Sequence, residues 1–116
     1  MSEIEAKLAE LGVTLPDIGN APKAKGSAAI LCAIAQLTQL KIACVGDMDR
    51  LVLVLKLTGF VNSTPDFIQQ PQVINGASDF LVEALGEKGR HARAAVSAAS
   101  LPLGVAVEIE AIFQIK

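Results

Sequence analysis

The sequence predicts an α+β domain in which two helices cover one face of a mixed sheet. Three patterns point to it. An apolar helical stretch at 27–44 leads into a strand-like run at 51–61, a second helical pattern ends at Gly86, and residues 105–115 alternate with a period of two. At 116 residues the chain fits one domain, 1–116. A chain of this size buries roughly two-thirds of its unfolded surface, so a core forms without disulfide or metal.

The elements follow in order. Ser2 and Glu5 have capping-box spacing, Ile4, Leu8 and Leu11 form a short apolar stripe, and Gly12 closes this helix. A loop dense in turn formers follows, from Leu15 to Pro22. From about Ser27 to Cys44 a long helix presents Ile30, Leu31, Ile34, Leu37, Thr38 and Ile42 as a broad apolar face. Gly46-Asp47 is a turn. Leu51 to Val61 reads as a buried strand, with Leu51, Leu53, Leu55 and Leu57 on one face and Val52, Val54, Lys56, Thr58 and Phe60 on the other. Gly59 within it suggests a bulge or a close backbone approach.

Thr64-Pro65-Asp66 and Gln70-Pro71 are start signals for a helix running from about Pro71 to Leu85. Its inner face is expected at Val73, Ala77, Phe80, Leu81 and Ala84. Ala92 to Ala98 alternates weakly, Leu101-Pro102-Leu103-Gly104 is a turn, and the last strand is the clearest in the chain. In it Val105, Val107, Ile109, Ala111, Phe113 and Ile115 share one face, opposite Glu108 and Glu110.

Composition excludes several classes of function. The net charge is −2, there is no Trp or Tyr, and only four Phe are present. Nucleic-acid binders usually carry a basic surplus and stacking aromatics; the one local exception is Lys88, Arg90, His91 and Arg93. The apolar runs are shorter than the about 20 residues a spanning helix needs. The first residues lack the charged and apolar regions of a secretory signal. Cys32 and Cys44, on one helix, stand roughly 18 Å apart, too far to bridge, and are read as small buried hydrophobes. A cytoplasmic protein is expected. Hydrophobic residues make up 52% of the chain, with a mean hydropathy of +0.48. That surplus points to a subunit interface.

The residue inventory also removes most catalytic constellations. His91 is the single histidine and no Gly-x-Ser-x-Gly elbow accompanies it. Two distant cysteines and one histidine supply zinc poorly, and no phosphate-binding loop or dinucleotide fingerprint is present. His91 is read as bordering a strand. Polar groups on strands remain. If 92–98 and 105–115 pair as an antiparallel hairpin, Arg93 shares a sheet face with Glu108 and Glu110. A strand arginine offers a permanently charged fork that suits a carboxylate, and a nearby Glu can activate water. The plainer alternative is an ion pair on a wetted face, on which Lys56 and Thr58 would also lie.

Four segments carry a family resemblance: Leu57-Thr58-Gly59-Phe60-Val61-Asn62-Ser63, Val73-Ile74-Asn75-Gly76-Ala77-Ser78, His91-Ala92-Arg93-Ala94-Ala95-Val96, and Leu101 through Ile112 with its Leu-Pro-x-Gly-Val-x-Val-Glu-Ile-Glu-Ala pattern. In order and spacing they resemble the RidA/YjgF reactive-intermediate deaminases, often labelled endoribonuclease L-PSP or translation inhibitor. The resemblance runs from about Gly26 to the end. It implies a chorismate-mutase-like fold and homotrimers with ligand clefts between subunits. It also implies hydrolysis of enamines and imines such as 2-aminoacrylate to 2-keto acids and ammonia.

By the same resemblance Arg93 would clamp the substrate carboxylate and Glu108 would position or activate water. Asn75 would support the cleft, and the backbone at Ala95 would donate to the ligand. No metal or organic cofactor is implied. The chain departs from the family in three ways. Ala21-Pro22-Lys23-Ala24-Lys25 runs almost directly into the long helix, where relatives carry strands and a cleft tyrosine, so roughly 30–40 residues are missing there. Ala95 stands where many relatives have cysteine, and the opening helix with Leu-Pro-Leu-Gly marks a subgroup. Two alternatives stay open: a non-catalytic trimer that binds small carboxylates, and an RNA-acting protein that uses Lys88, Arg90 and Arg93.

Overall fold

The computed structural model describes residues 3–13 and 28–116. Its elements are α1 (Glu3–Glu10), α2 (Ala28–Ala43), β1 (Leu51–Asn62), α3 (Gln70–Leu85), β2 (Ala92–Ala98) and β3 (Val107–Ile115). Short 3-10 turns at Met48–Arg50, Gly86–Gly89 and Pro102–Gly104 join them. The expected Ser2 cap, the Leu15–Pro22 loop and the shortened connection at Ala21–Lys25 lie outside the described residues.

Among the described residues the sheet has three strands in the order β2-β1-β3. β1 pairs with β2 in parallel and with β3 antiparallel. The expected β2–β3 hairpin does not form, because β1 lies between the two strands. The parallel pair needs a crossover, and α3 supplies it by packing back over the sheet. β1 is thus the central strand, and its sequence is mostly apolar, with Lys56 and Thr58 on the helix-free face.

The alternation expected along β1 holds only from Lys56 onward. Pairing with β3 slips between Leu51 and Leu53 and again between Val54 and Lys56. Leu51, Val54 and Leu57 are therefore the residues buried against the helices, while Leu55 and Val52 are partly exposed. An extra residue in a strand reverses the face of everything before it, so leucines two apart in sequence need not share a side.

Helices α2 and α3 cover one face, as expected. The buried stripe of α2 is Ala29, Ala33, Ile34, Leu37, Thr38 and Leu40, so it is rotated from the expected one, and Leu31 and Ile42 point outward. α3 buries Ile74, Ala77, Phe80, Leu81, Ala84 and Leu85. Gly59 lets α3 approach β1 closely: a Cβ there would collide with the side chain of Ile74, which is itself fully buried. The edge of the sheet at β3 is closed by α2. Gln36 Nε2 donates to the Ile109 carbonyl at 2.8 Å, and Cys32 Sγ approaches the Val107 carbonyl at 3.7 Å. Two backbone acceptors of an edge strand are thereby occupied. α1 sets Ile4 and Leu8 into the same core, and Lys41 pairs with Glu5 at 2.8 Å to tie α1 to α2.

The other face of the sheet carries no helix among the described residues. By register Phe60, Val96 and Ile112 lie on it with Thr58, Glu108 and Glu110. Val96 is 43% and Ile112 56% exposed, a high figure for large apolar side chains on a sheet.

Candidate functional site

The site forms where α3 crosses β2. Arg93 pairs in register with Leu57, whose side chain is buried beneath the helices, so Arg93 points to the helix-covered side. There its guanidinium meets α3. Nη1 donates to Asn75 Oδ1 at 2.8 Å and to Ser78 Oγ at 3.2 Å. Asn75 and Ser78 are three residues apart on the helix and so sit on one side of it. A guanidinium only donates, so the Asn75 carboxamide must turn its oxygen inward, which leaves its NH₂ facing outward.

His91 completes the cluster. Its Nδ1 faces the Gly89 carbonyl and its Nε2 lies 3.0 Å from Ser78 Oγ. Gly89 makes the approach possible, since a Cβ there would strike the backbone of Leu81. Asn75, Ser78, Asp79, Val82, Arg90, His91 and Arg93 line an open hollow of about 290 Å³. Arg90 is held by the carboxylate of Glu87, with Nε 3.0 Å and 3.2 Å from its two oxygens.

Two of the four expected site residues, Arg93 and Asn75, come into direct contact. Ala95 pairs with Gly59 and faces the helices as Arg93 does, one residue pair further along β2. Glu108 does not join them. It pairs with Phe60, and Glu110 with Thr58, and both carboxylates are exposed on the helix-free face. The expectation that Arg93 shares a sheet face with Glu108 and Glu110 is therefore corrected. The pairing assumed for it was the β2–β3 hairpin, and inserting β1 sets the two strands in an independent register. Lys56, Thr58 and Glu110 instead border a separate hollow of about 150 Å³ on that second face.

Ser78 and His91 were missed as site residues, although spacing could have found them. Ser78 follows Asn75 by one helical turn, and His91 precedes Arg93 by two positions, on the same side of an extended chain. Half-burial pushes the Cys32 thiol up from its usual range, and the nearby Glu108 carboxylate adds to the shift. That suits a buried hydrogen-bonding thiol, not a nucleophile. No group of three or more His, Cys, Asp or Glu side chains suited to a metal occurs among the described residues, and no described helix is long and apolar enough to cross a membrane.

Residues 6–113 match the sequence pattern of the family described as "YjgF/chorismate mutase-like, putative endoribonuclease". The chain belongs to the YjgF/chorismate mutase-like family. Protein TCP17 of Trypanosoma cruzi is 48% identical over 90 residues, which are 77% of this chain and 56% of that protein, so the chain spans little more than half of that relative's length. Among solved structures, Atu1372 of Agrobacterium tumefaciens, a protein of unknown function, superposes with a TM-score of 0.85 at 40% identity. The match covers 97% of this chain and 94% of that one. A structure from Shewanella oneidensis, titled a "putative endoribonuclease", gives 0.78 at 24% identity and covers 91% and 95%; at that identity the likeness concerns the fold. Nearly all of each of these neighbours has a counterpart in this chain.

Proposed function

We propose that the protein binds small 2-imino and 2-keto acids through Arg93 and hydrolyses the imines to 2-keto acids and ammonia. The observation that carries this reading is the Arg93–Asn75 contact. Nη1 is anchored by Asn75 and Ser78, which aims the rest of a permanently charged fork at the hollow. A carboxylate is the natural ligand for such a fork. Hydrolysis then needs a water added to the C=N carbon, a group to take its proton, and departure of the nitrogen as ammonia.

Glu108 is the candidate for that proton transfer, and its position implies an assembly. Arg93 and Glu108 of one chain lie on opposite faces of one sheet. They can serve one substrate only if Glu108 comes from a second copy. The exposed Val96 and Ile112, with the partly exposed Phe60 between them, support an oligomer, and a homotrimer with clefts between subunits is the arrangement the resemblance implies. Ala95 would line the same cleft from β2.

The test is complementation in a coupled assay that generates 2-aminoacrylate in situ. Arg93→Ala and Glu108→Gln should each abolish acceleration. Mixed oligomers of the two variants should recover part of it, because some clefts then combine an intact Arg93 with an intact Glu108. Separate loss without recovery would place both groups in one chain's site and contradict the reading.

A second reading, a carboxylate-binding oligomer without turnover, is favoured by the position of Glu108 on the sheet face opposite Arg93. It predicts 2-keto acid binding by calorimetry with no ammonia release. RNA cleavage, named for the Shewanella neighbour, is less well supported: Arg90 is neutralised by Glu87 and the chain carries a net charge of −2. Absence of RNA affinity at low salt would dismiss it.

A further inference from the structure

We infer that Ser78 and His91 belong to the carboxylate site as a proton-gated donor pair, so that ligand binding takes up a proton at His91. The inference rests on the carboxylate-binding reading of Arg93 and adds two residues and a linked proton to it.

The hydrogen-bond directions are fixed by chemistry. The Gly89 carbonyl only accepts, so Nδ1 of His91 carries a hydrogen in both protonation states. In the neutral ring Nε2 is then bare, and Ser78 must donate its one proton to it across 3.0 Å. The Ser78 oxygen meanwhile accepts from Arg93 Nη1 at 3.2 Å. The hydroxyl is fully engaged and offers the hollow nothing.

Protonation reverses one of these bonds. Nε2–H now donates to Ser78, whose oxygen accepts from both His91 and Arg93. Its own O–H is released and can turn into the hollow. The lining then presents the Ser78 hydroxyl, the outward Asn75 amide and the remaining Arg93 N–H groups, all donors. A carboxylate, which only accepts, matches that set.

Charge couples the two events. An imidazolium there sits beside the guanidinium of Arg93, with Arg90 on the same rim, so a site holding the charged His91 ring gathers positive charge. A bound anion offsets it. Asp79 faces the hollow from α3, while Glu87 and Lys88 lie on the 3-10 turn before β2, with Glu87 occupied by Arg90. Binding of an acid that stays ionised throughout should therefore strengthen as pH falls through the range where imidazoles titrate.

The experiment is calorimetry with 2-oxobutanoate from pH 5.5 to 8, in buffers of different ionisation enthalpy. NMR of the His91 ring, unambiguous because it is the chain's one histidine, follows the same titration. Wild type should gain affinity toward low pH, by at most about tenfold per unit for one linked proton, with net proton uptake. His91→Asn should bind with a flat profile and no uptake. Ser78→Ala should lose affinity chiefly at the acid end, and Asp79→Asn should keep the slope. A flat wild-type profile, or an equal slope in His91→Asn, overturns the proton gate while leaving the Arg93 clamp standing. A folded wild type that binds no 2-oxobutanoate at any pH overturns both.

Discussion

Arg93 of β2 and Asn75 of α3 are joined by a 2.8 Å hydrogen bond that spans the crossover between two parallel strands. The bond ties the orientation of a charged fork to the packing of a helix. Both side chains are exposed, so the contact contributes little to stability and much to where the guanidinium points.

Arg93→Lys is therefore expected to fold normally yet bind 2-oxobutanoate weakly. An ammonium cannot hold Asn75 and Ser78 and also present a two-pronged donor. Loss of one charge-assisted contact corresponds to about 1.5–3 kcal/mol, or more than tenfold in Kd. Calorimetry beside an unchanged melting curve would check it; equal affinity in the lysine variant would show that charge alone suffices.

Gly59→Ala should destabilise the fold by about 1–3 kcal/mol, since the new methyl meets a fully buried Ile74 that has nowhere to move. Urea unfolding should show a lower midpoint with an unchanged m-value. Shortening Ile74 to Val in the same chain should recover part of the loss, whereas simple addition of the two effects would mean that they do not touch.

Cys32 should react slowly with iodoacetamide at neutral pH and accelerate only in alkali. Burial, then the Glu108 carboxylate, hold its thiol protonated, and only the thiolate attacks. Glu108→Gln should raise the rate slightly at a given pH. A fast reaction at pH 7 in the folded protein would contradict the half-buried placement.

Val45→Asn should stabilise the chain. Val45 follows α2 with φ 55°, a left-handed conformation that a β-branched residue resists, and it is 85% exposed. Replacement by a residue that tolerates this region should relieve about 1 kcal/mol at no cost in packing. The readout is the thermal midpoint, which should rise by a few degrees.

Some of this architecture could be read without coordinates. The period-two run from Val107 to Ile115 gave its inner and outer faces correctly, and Gly12 and Gly86 marked helix ends because each takes a positive φ. The family motif singled out Asn75 and Arg93, and these two side chains meet in the structure. Local pattern carries this information because backbone sterics and side-chain periodicity act within a few residues.

Other features were set only by the tertiary structure. Alternation tells which residues of β2 oppose one another, but not that β1 separates β2 from β3, so it could not place Glu108 behind the sheet from Arg93. The slips at Leu53 and Lys56 depend on pairing with a strand more than fifty residues away. Spacing sets Ser78 beside Asn75 and His91 beside Arg93, but the Ser78–His91–Arg93 cluster exists only because α3 lies across β2. The sequence by itself determined the elements, the glycine ends of two helices and the residue types available for a carboxylate site. The fold decided which of those residues meet, because strand order and helix docking are settled by burial summed over the whole chain.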